Sequence, residues 1–177
     1  MKKLFVIALA AFGMVACMND EITELPSGNE ISFDNAFIDN ATRAELTAAN
    51  LGEFKVWGYI DGLGDADNQQ VALFEGETVS NASGAWQYGG GARYWAPEEM
   101  HYFEAVAPLT AAVSVVADAN NSGKISTIEY TVDGESDLIY AAYSKQAASA
   151  NQDNGPVSFT FDHLLSRVMF TFNNGFA

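Results

Sequence analysis

Cysteine is almost absent from this chain of 177 residues, in which Cys17 is the only one. One thiol cannot form a disulfide within the chain, and it cannot supply the several thiolates of a zinc cluster. We therefore expect no disulfide, zinc cluster or cysteine nucleophile in the mature protein.

Basic residues are also scarce. The chain has 8 lysines and arginines against 23 aspartates and glutamates, which gives a formal net charge of -15. Such a surface repels phosphate backbones and anionic lipid headgroups, while it keeps a protein soluble. Nucleic acid is therefore not expected as a partner.

Motifs of catalysis are missing too. His101 and His163 are the only histidines, and neither lies in the spacing of a metal site or of a nucleophile and its base. The glycines at 89–91 do not fit a dinucleotide or phosphate loop, and no Gly-x-Ser-x-Gly elbow occurs. We predict that the protein is not an enzyme and has no catalytic residue, bound metal or cofactor.

Long hydrophobic runs are absent as well. The apolar segment at 4–15 is well short of the roughly 20 residues that a membrane-spanning helix needs. It follows Lys2 and Lys3 and ends at the small residue Ala16, which is the pattern of a signal peptide. We predict a signal peptide at 1–16.

The residues at the cleavage point, Met14-Val15-Ala16-Cys17, resemble a lipobox, with methionine where leucine is commoner. This predicts that the thiol of Cys17 receives lipid and anchors the protein in a membrane; ordinary cleavage without lipid is the alternative. Each buried methylene of a lipid chain adds about 0.8 kcal/mol, so a multiply acylated cysteine holds firmly without a spanning helix.

Residues 17–50 are polar and acidic, and we interpret them as a lipidated leader that contains a first short strand centred on Ile31-Ser32-Phe33. A wholly disordered tether is the alternative. Within this leader, residues 41–50 have a briefly helical pattern.

Apolar residues alternate with polar ones at a period of two over most of the remaining chain. The clearest example is Val157, Phe159 and Phe161, and glycine-containing turns separate such runs. Further runs lie at 54–60, 102–107, 126–132, 137–143 and 168–172. Many short strands and few helical segments predict an all-β sandwich, with residues 146–155 as one mobile loop.

Residues 118–129 have the spacing of a calcium loop, with Asp118 and Glu129 as its charged ends and Gly123 at its sixth position. The flanking residues are β-branched and strand-like, however, whereas an EF-hand needs helices. We expect a solvated β-turn here, with weak calcium binding as the alternative.

A set of aromatic residues could serve either of two purposes, core packing or sugar stacking. Large aromatic side chains at strand period usually bury most of their area, so we expect them in the core. The set consists of Trp57, Trp86, Trp95, Tyr88, Tyr94 and Tyr102.

Five segments occur in an order that resembles the N-terminal domain of the fimbrillin family, the lipoprotein-derived fimbrial subunits of Bacteroidales. They are FKVWGY (54–59), RYWAP (93–97), YFEAVAP (102–108), DLIYA (137–141) and VSFTFDHLLSRV (157–168). Each segment is weak alone, and the specificity comes from their order together with the lipobox.

The resemblance implies a subunit of two transthyretin-like β-sandwiches, each of about seven strands with Greek-key-like connections. Residues 51–177 would supply the first domain, and we expect the second domain to be missing. The resemblance also implies export to the outer membrane as a lipoprotein. A trypsin-like protease then removes the lipid with the first strand, and the groove accepts a strand from the next subunit.

Arg43 fits this processing step, because it is the only basic residue between Lys3 and Lys55. A cut between Arg43 and Ala44 would release the first strand together with Cys17; an exposed arginine without a processing role is the alternative. In the family the donated strand comes from the C-terminal end of a subunit, beyond Ala177.

The expected partners are other fimbrial subunits, in a homopolymer or heteropolymer, together with outer-membrane lipid through Cys17 and surface ligands of host or bacterium. The expected location is an outer-membrane lipid anchor and then a cell-surface fimbria. A glycan-binding or adhesin lipoprotein that keeps its anchor is the alternative function.

Overall fold

The computed structural model describes residues 29–38, 50–62, 70–131 and 137–165. Across these ranges the chain forms nine strands and no helix, and so nothing helical that could cross a membrane. The strands are β1 (Phe33–Ile38), β2 (Glu53–Asp61), β3 (Gln70–Ser80), β4 (Gln87–Tyr88), β5 (Met100–Ala107), β6 (Val113–Asp118), β7 (Asn121–Tyr130), β8 (Ile139–Gln146) and β9 (Val157–His163).

Seven strands form one sheet in the order β1-β9-β8-β5-β2-β3-β4. Only two residue pairs join β8 to β9, whereas eight pairs join β8 to β5. This short junction lets β9 and its parallel neighbour β1 lie over the inner face of the other strands, where Phe159 packs on Phe54. The sheet thus folds over itself around an aromatic core, and the predicted all-β sandwich is confirmed.

Alternation in the sequence decides which side chains enter this core. In β9, Val157, Phe159 and Phe161 are buried, while the residues between them are exposed. Burial of one such large apolar side chain stabilises the fold by about 1.5–3 kcal/mol. The strand pattern at 157–161 is therefore confirmed.

A separate hairpin of β6 and β7 covers part of the outer face of the large sheet. Gly123 makes this close packing possible, because a Cβ at this position would overlap the carbonyl oxygen of Gly58 and come within 3.1 Å of the Ala72 Cα. Beneath the hairpin, Trp57, Val106 and Leu138 form a second buried apolar cluster.

The described ranges contain nine strands where about seven were expected. The strands that the pattern analysis missed are β3, β4 and β6. Two register shifts between β2 and β3 interrupt the alternation of β3, and Gly76 within it has a φ of 95° beside the ring of Trp57. The described residues exclude 41–49 of the helical pattern at 41–50 and all of the strand pattern at 168–172.

We predict that Gly123→Ala lowers the free energy of unfolding by about 1–3 kcal/mol, because the new methyl group pushes the hairpin off the sheet. Urea unfolding followed by tryptophan fluorescence measures the change. Gly52→Ala is the matched control, since nothing lies within 4 Å of a Cβ at that position. Equal unfolding midpoints for the two variants would show that the hairpin does not need this close approach.

Candidate functional site

The segment at 29–38 joins β9 of the large sheet to the chain that follows β4 through backbone hydrogen bonds. Its C-terminal part is β1, which pairs in parallel with β9, and the Val157 N–H donates to the Ser32 carbonyl (2.8 Å). Its N-terminal part lies against the chain that follows β4. There the Ile31 N–H donates to the Arg93 carbonyl (2.7 Å), and the Trp95 N–H donates to the Asn29 carbonyl (3.0 Å). The segment therefore closes the sandwich.

Among the side chains of this segment that the structure describes, four enter the core: Ile31, Phe33, Ala36 and Ile38. The spacing changes from 31 and 33 to 36 and 38 because the register with β9 shifts between Asp34 and Phe37. An irregularity of this kind lets one strand bury residues from both of its alternating sets. The centre predicted at Ile31-Ser32-Phe33 thus captures only the first half of the buried set.

Phe33 is the central side chain of this arrangement, because its ring contacts rings from five other strands. The nearest of these is Phe74, with ring centroids 5.6 Å apart, and Phe159 stacks on Phe33 at 5.9 Å. The other three are Phe54 at 6.0 Å, Tyr88 at 5.7 Å and Phe103 at 6.4 Å. Edge-to-face and stacked aromatic pairs add about 0.5–1.5 kcal/mol each beyond their area burial.

Tyr88 connects this aromatic cluster to the backbone of the segment. Its hydroxyl donates to the Ile31 carbonyl (2.8 Å) and accepts from the Arg93 N–H (3.3 Å). Burial raises the pKa of Tyr88, so the phenol stays protonated and able to donate at neutral pH. Sequence reasoning assigned Tyr88 to the core, with sugar stacking as the alternative, and missed this bond.

Arg93 holds the chain against which Ile31 lies. Its guanidinium pairs with Glu77, donates to the Leu73 carbonyl and to the carbonyls of Gly89 and Gly91, and lies 4.5 Å from the ring centre of Phe74. A planar group with five donors suits this set of acceptors. The sequence signal was the RYWAP segment, which the family resemblance quoted without a role for Arg93.

The loop at 147–156 also holds the segment. Asn29 donates through Nδ2 to the Gln152 carbonyl and to Asp153 Oδ1, both at 3.1 Å. Within the loop, buried Asn154 accepts from the Ala148 N–H (2.6 Å), and Lys145 donates to the Asn154 carbonyl. These hydrogen bonds connect the loop to itself and to Asn29, within the range 146–155 for which the sequence predicted mobility.

His101 fixes the turn beside Trp95 and is fully buried. Its Nε2 accepts from the Ala96 N–H (3.1 Å), so its proton must be on Nδ1, which donates to the Glu99 carbonyl (3.0 Å). Burial lowers the pKa of His101, and the bond to Glu99 opposes this shift in part. The neutral ring is the form that fits the fold.

The residues proposed for lipid attachment and processing, Cys17, Arg43 and Ala44, lie outside the described residues. Of the aromatic set, Trp57 and Trp95 are buried, and Trp86 and Tyr88 pack on the core. The expected core role is thus confirmed for these four. Tyr94 and Tyr102 are partly exposed.

The loop with calcium-like spacing is the end of the β6–β7 hairpin. Asp118 Oδ1 accepts from the Asn120 N–H (2.9 Å) at its turn, whereas Glu129 pairs with Ser114 at the other end. Eight residues of extended strand place Glu129 about 25 Å from the turn, so the two carboxylates cannot share one ion. In the part of the chain that the structure describes, no group of three or more His, Cys, Asp or Glu residues could hold a metal.

We predict that the free energy of unfolding falls as the pH drops below about 6.5, where the unfolded chain takes up a proton that folded His101 does not. This loss stops below the lowered pKa of the folded state. Urea unfolding between pH 7.5 and 5 measures this dependence. The slope of the unfolding free energy against pH should be smaller in His101→Gln than in the unsubstituted protein, by up to about 1.4 kcal/mol per pH unit. The control His163→Gln keeps the contribution of His101; an unchanged slope in His101→Gln would contradict the account.

Comparison with protein families gives one match: a model described as fimbrillin-like covers residues 42–177. Comparison with curated proteins and with solved structures finds no match. The matched residues include the strands from β2 to β9, whereas β1 precedes them. The resemblance drawn from the sequence is confirmed, and the chain belongs to the fimbrillin-like family.

Proposed function

We propose that this protein is a structural or accessory subunit of a cell-surface fimbria, exported as a lipoprotein through Cys17 and assembled by strand exchange after its leader is removed. The fimbrillin-like family supports the role of a fimbrial subunit. The observation that carries the exchange step is the position of Phe33, whose ring contacts rings of β2, β3, β4, β5 and β9.

Removal of β1 would open a groove that requires a replacement. Phe54, Phe74, Phe103 and Phe159 would lose their contact with Phe33 and face water together. A contiguous apolar surface of this kind drives association. The backbone groups of β9 that pair with β1 would also become free, which makes them a template for an added strand.

The groove specifies which strand can enter. A donor must present a large ring at the position of Phe33 and a small side chain at the position of Ala36, with a register shift between them. Residues at the positions of Ser32 and Asp34 face outward and can be polar. A donor strand from another subunit, of the same or a different kind, would therefore need an irregular rather than a strict period-two pattern.

The position of Arg43 suits it as the processing site. It follows Ile38, the last residue of β1, by five positions and precedes Glu53, the first residue of β2, so a cut there would separate β1 from β2. Arg93, in contrast, is only partly exposed. Its guanidinium pairs with Glu77 and donates hydrogen bonds to three backbone carbonyls. A trypsin-like protease needs an extended, accessible arginine, which the fold denies it at Arg93.

The location follows from the same steps. The precursor is held in the outer membrane by lipid on Cys17, and the cut between Arg43 and Ala44 releases the subunit into a fimbria. The alternative is a glycan-binding or adhesin lipoprotein that keeps its lipid. The two differ in the mature N-terminus, which is Ala44 in the first case and lipidated Cys17 in the second.

We predict that Arg43→Ala abolishes the Ala44 N-terminus and fibre formation when the full-length protein is expressed at the bacterial surface. Mass spectrometry of surface material identifies the N-terminus, and electron microscopy counts the fibres. Thr42→Ala is the matched control, because it changes the neighbouring residue and leaves the arginine. Unchanged fibres from Arg43→Ala would overturn the cleavage step.

A further inference from the structure

A cleft on the outer face of the large sheet has no role in the strand exchange. Its cavity volume is about 280 Å³, and residues of β2, β5, β7 and β8 line it. The cleft lies beside the β6–β7 hairpin and on the opposite face of β5 from the core. Tyr102 lines it, and so do Phe103 and Tyr143, although the ring of Phe103 contacts Phe33 on the inner face.

An aromatic wall bounds the cleft on one side. Tyr59, Tyr102 and Ser144 lie in one row across β2, β5 and β8. The rings of Tyr59 and Tyr102 stack with centroids 4.9 Å apart and planes 15° apart. The neighbour of Tyr102 on its other side is the small, exposed Ser144, so the second face of the Tyr102 ring is left open to the cleft.

A carboxylate lies in the next row, which contains Glu104 and the small, exposed Ala142. Glu104 accepts from the Tyr140 hydroxyl (2.8 Å) and from the Ile125 N–H (2.9 Å). Burial raises the pKa of Tyr140, and the bond to Glu104 and its charge raise it further, so this phenol donates at neutral pH. The two donors fix the carboxylate, and each oxygen keeps a lone pair for a ligand.

Lys124 supplies the opposite charge at the rim. Its side chain is exposed, and the ion pairs of the described residues do not include it. A free ammonium is unusual in a chain with 8 basic and 23 acidic residues. The cleft therefore offers a flat apolar ring, a fixed acceptor, a mobile donor and the hydroxyl of Ser144.

We propose that this cleft binds a neutral pyranose residue of a glycan. A pyranose presents one apolar face of C–H groups, which packs on an aromatic ring, and hydroxyls around its edge that need both acceptors and donors. A few convergent polar groups beside an aromatic wall are typical of a specific small-ligand site. Tyr102 would stack on the ring, while Glu104 and Lys124 bind its hydroxyls.

Other classes of ligand fit less well. A cation would be repelled by the ammonium of Lys124 at the rim of the cleft. An anion would approach Glu104 on a chain with a net charge of -15. This site differs from the aromatic set singled out in the sequence, of which it contains only Tyr102. Because the cleft lies on the other face of the sheet from Phe33, it does not depend on strand exchange.

The test is saturation-transfer NMR with the full-length protein and the methyl pyranosides of glucose, galactose, mannose and N-acetylglucosamine. We expect millimolar binding of at least one, weakened about tenfold or more in Tyr102→Ala and Ser144→Tyr. Ser144→Tyr fills the cleft from an exposed position and leaves the core intact. Ser158→Tyr is the matched control, because Ser158 is an exposed strand serine outside the cleft.

Binding that Ser158→Tyr retains and both cleft variants lose would support the proposal. Three results would overturn it. The first is no saturation transfer from the protein to any of the sugars, and the second is saturation transfer that stays the same in both cleft variants. The third is binding of tetramethylammonium or inorganic phosphate in place of a sugar. Self-association that Ser144→Tyr disrupts, without sugar binding, would also overturn it and assign the face to a second copy. None of these outcomes bears on cleavage at Arg43, so the two proposals can fail separately.

Discussion

Phe33 lies where the layers of the sandwich meet, and its ring touches rings from β2, β3, β4, β5 and β9. The strand that carries it also completes the backbone pairing, with Val157 on one side and Arg93 on the other. Truncation of a buried phenylalanine costs about 3–5 kcal/mol, which is a large part of the stability of a typical domain. The rest of the core therefore depends on the side chains of one strand, β1.

That dependence is what makes strand exchange physically reasonable. A groove lined by Phe54, Phe74 and Phe103 is stable only when a strand fills it, so a subunit without β1 gains stability by binding another strand. The leader acts as a place-holder during export in this account. Tyr88 and Arg93, which bind the backbone of Ile31, lie outside the proposed leader and would remain to bind another strand.

The sequence predicted the regular parts of this fold and missed the irregular ones. The alternation of Val157, Phe159 and Phe161 identified β9, because every second side chain enters the core. The buried set of β1 was only half predicted, because the shift after Asp34 breaks a strict period. The role of Arg93 was beyond pattern analysis, since its acceptors come from β3 and a glycine loop that only the fold brings together.

A reversible lock on β1 tests the central claim most directly. Asp34 and Ser158 are register partners on β1 and β9, and both face outward, so cysteines at the two positions can form a disulfide that holds the leader in place. Assembly of the Asp34→Cys/Ser158→Cys protein, after cleavage at Arg43, can be followed by light scattering with and without a reductant. The account predicts no polymer while the disulfide is intact and polymer once it is reduced, with the Asp34→Cys single variant assembling in both conditions. Equal assembly of the locked and reduced proteins would contradict it.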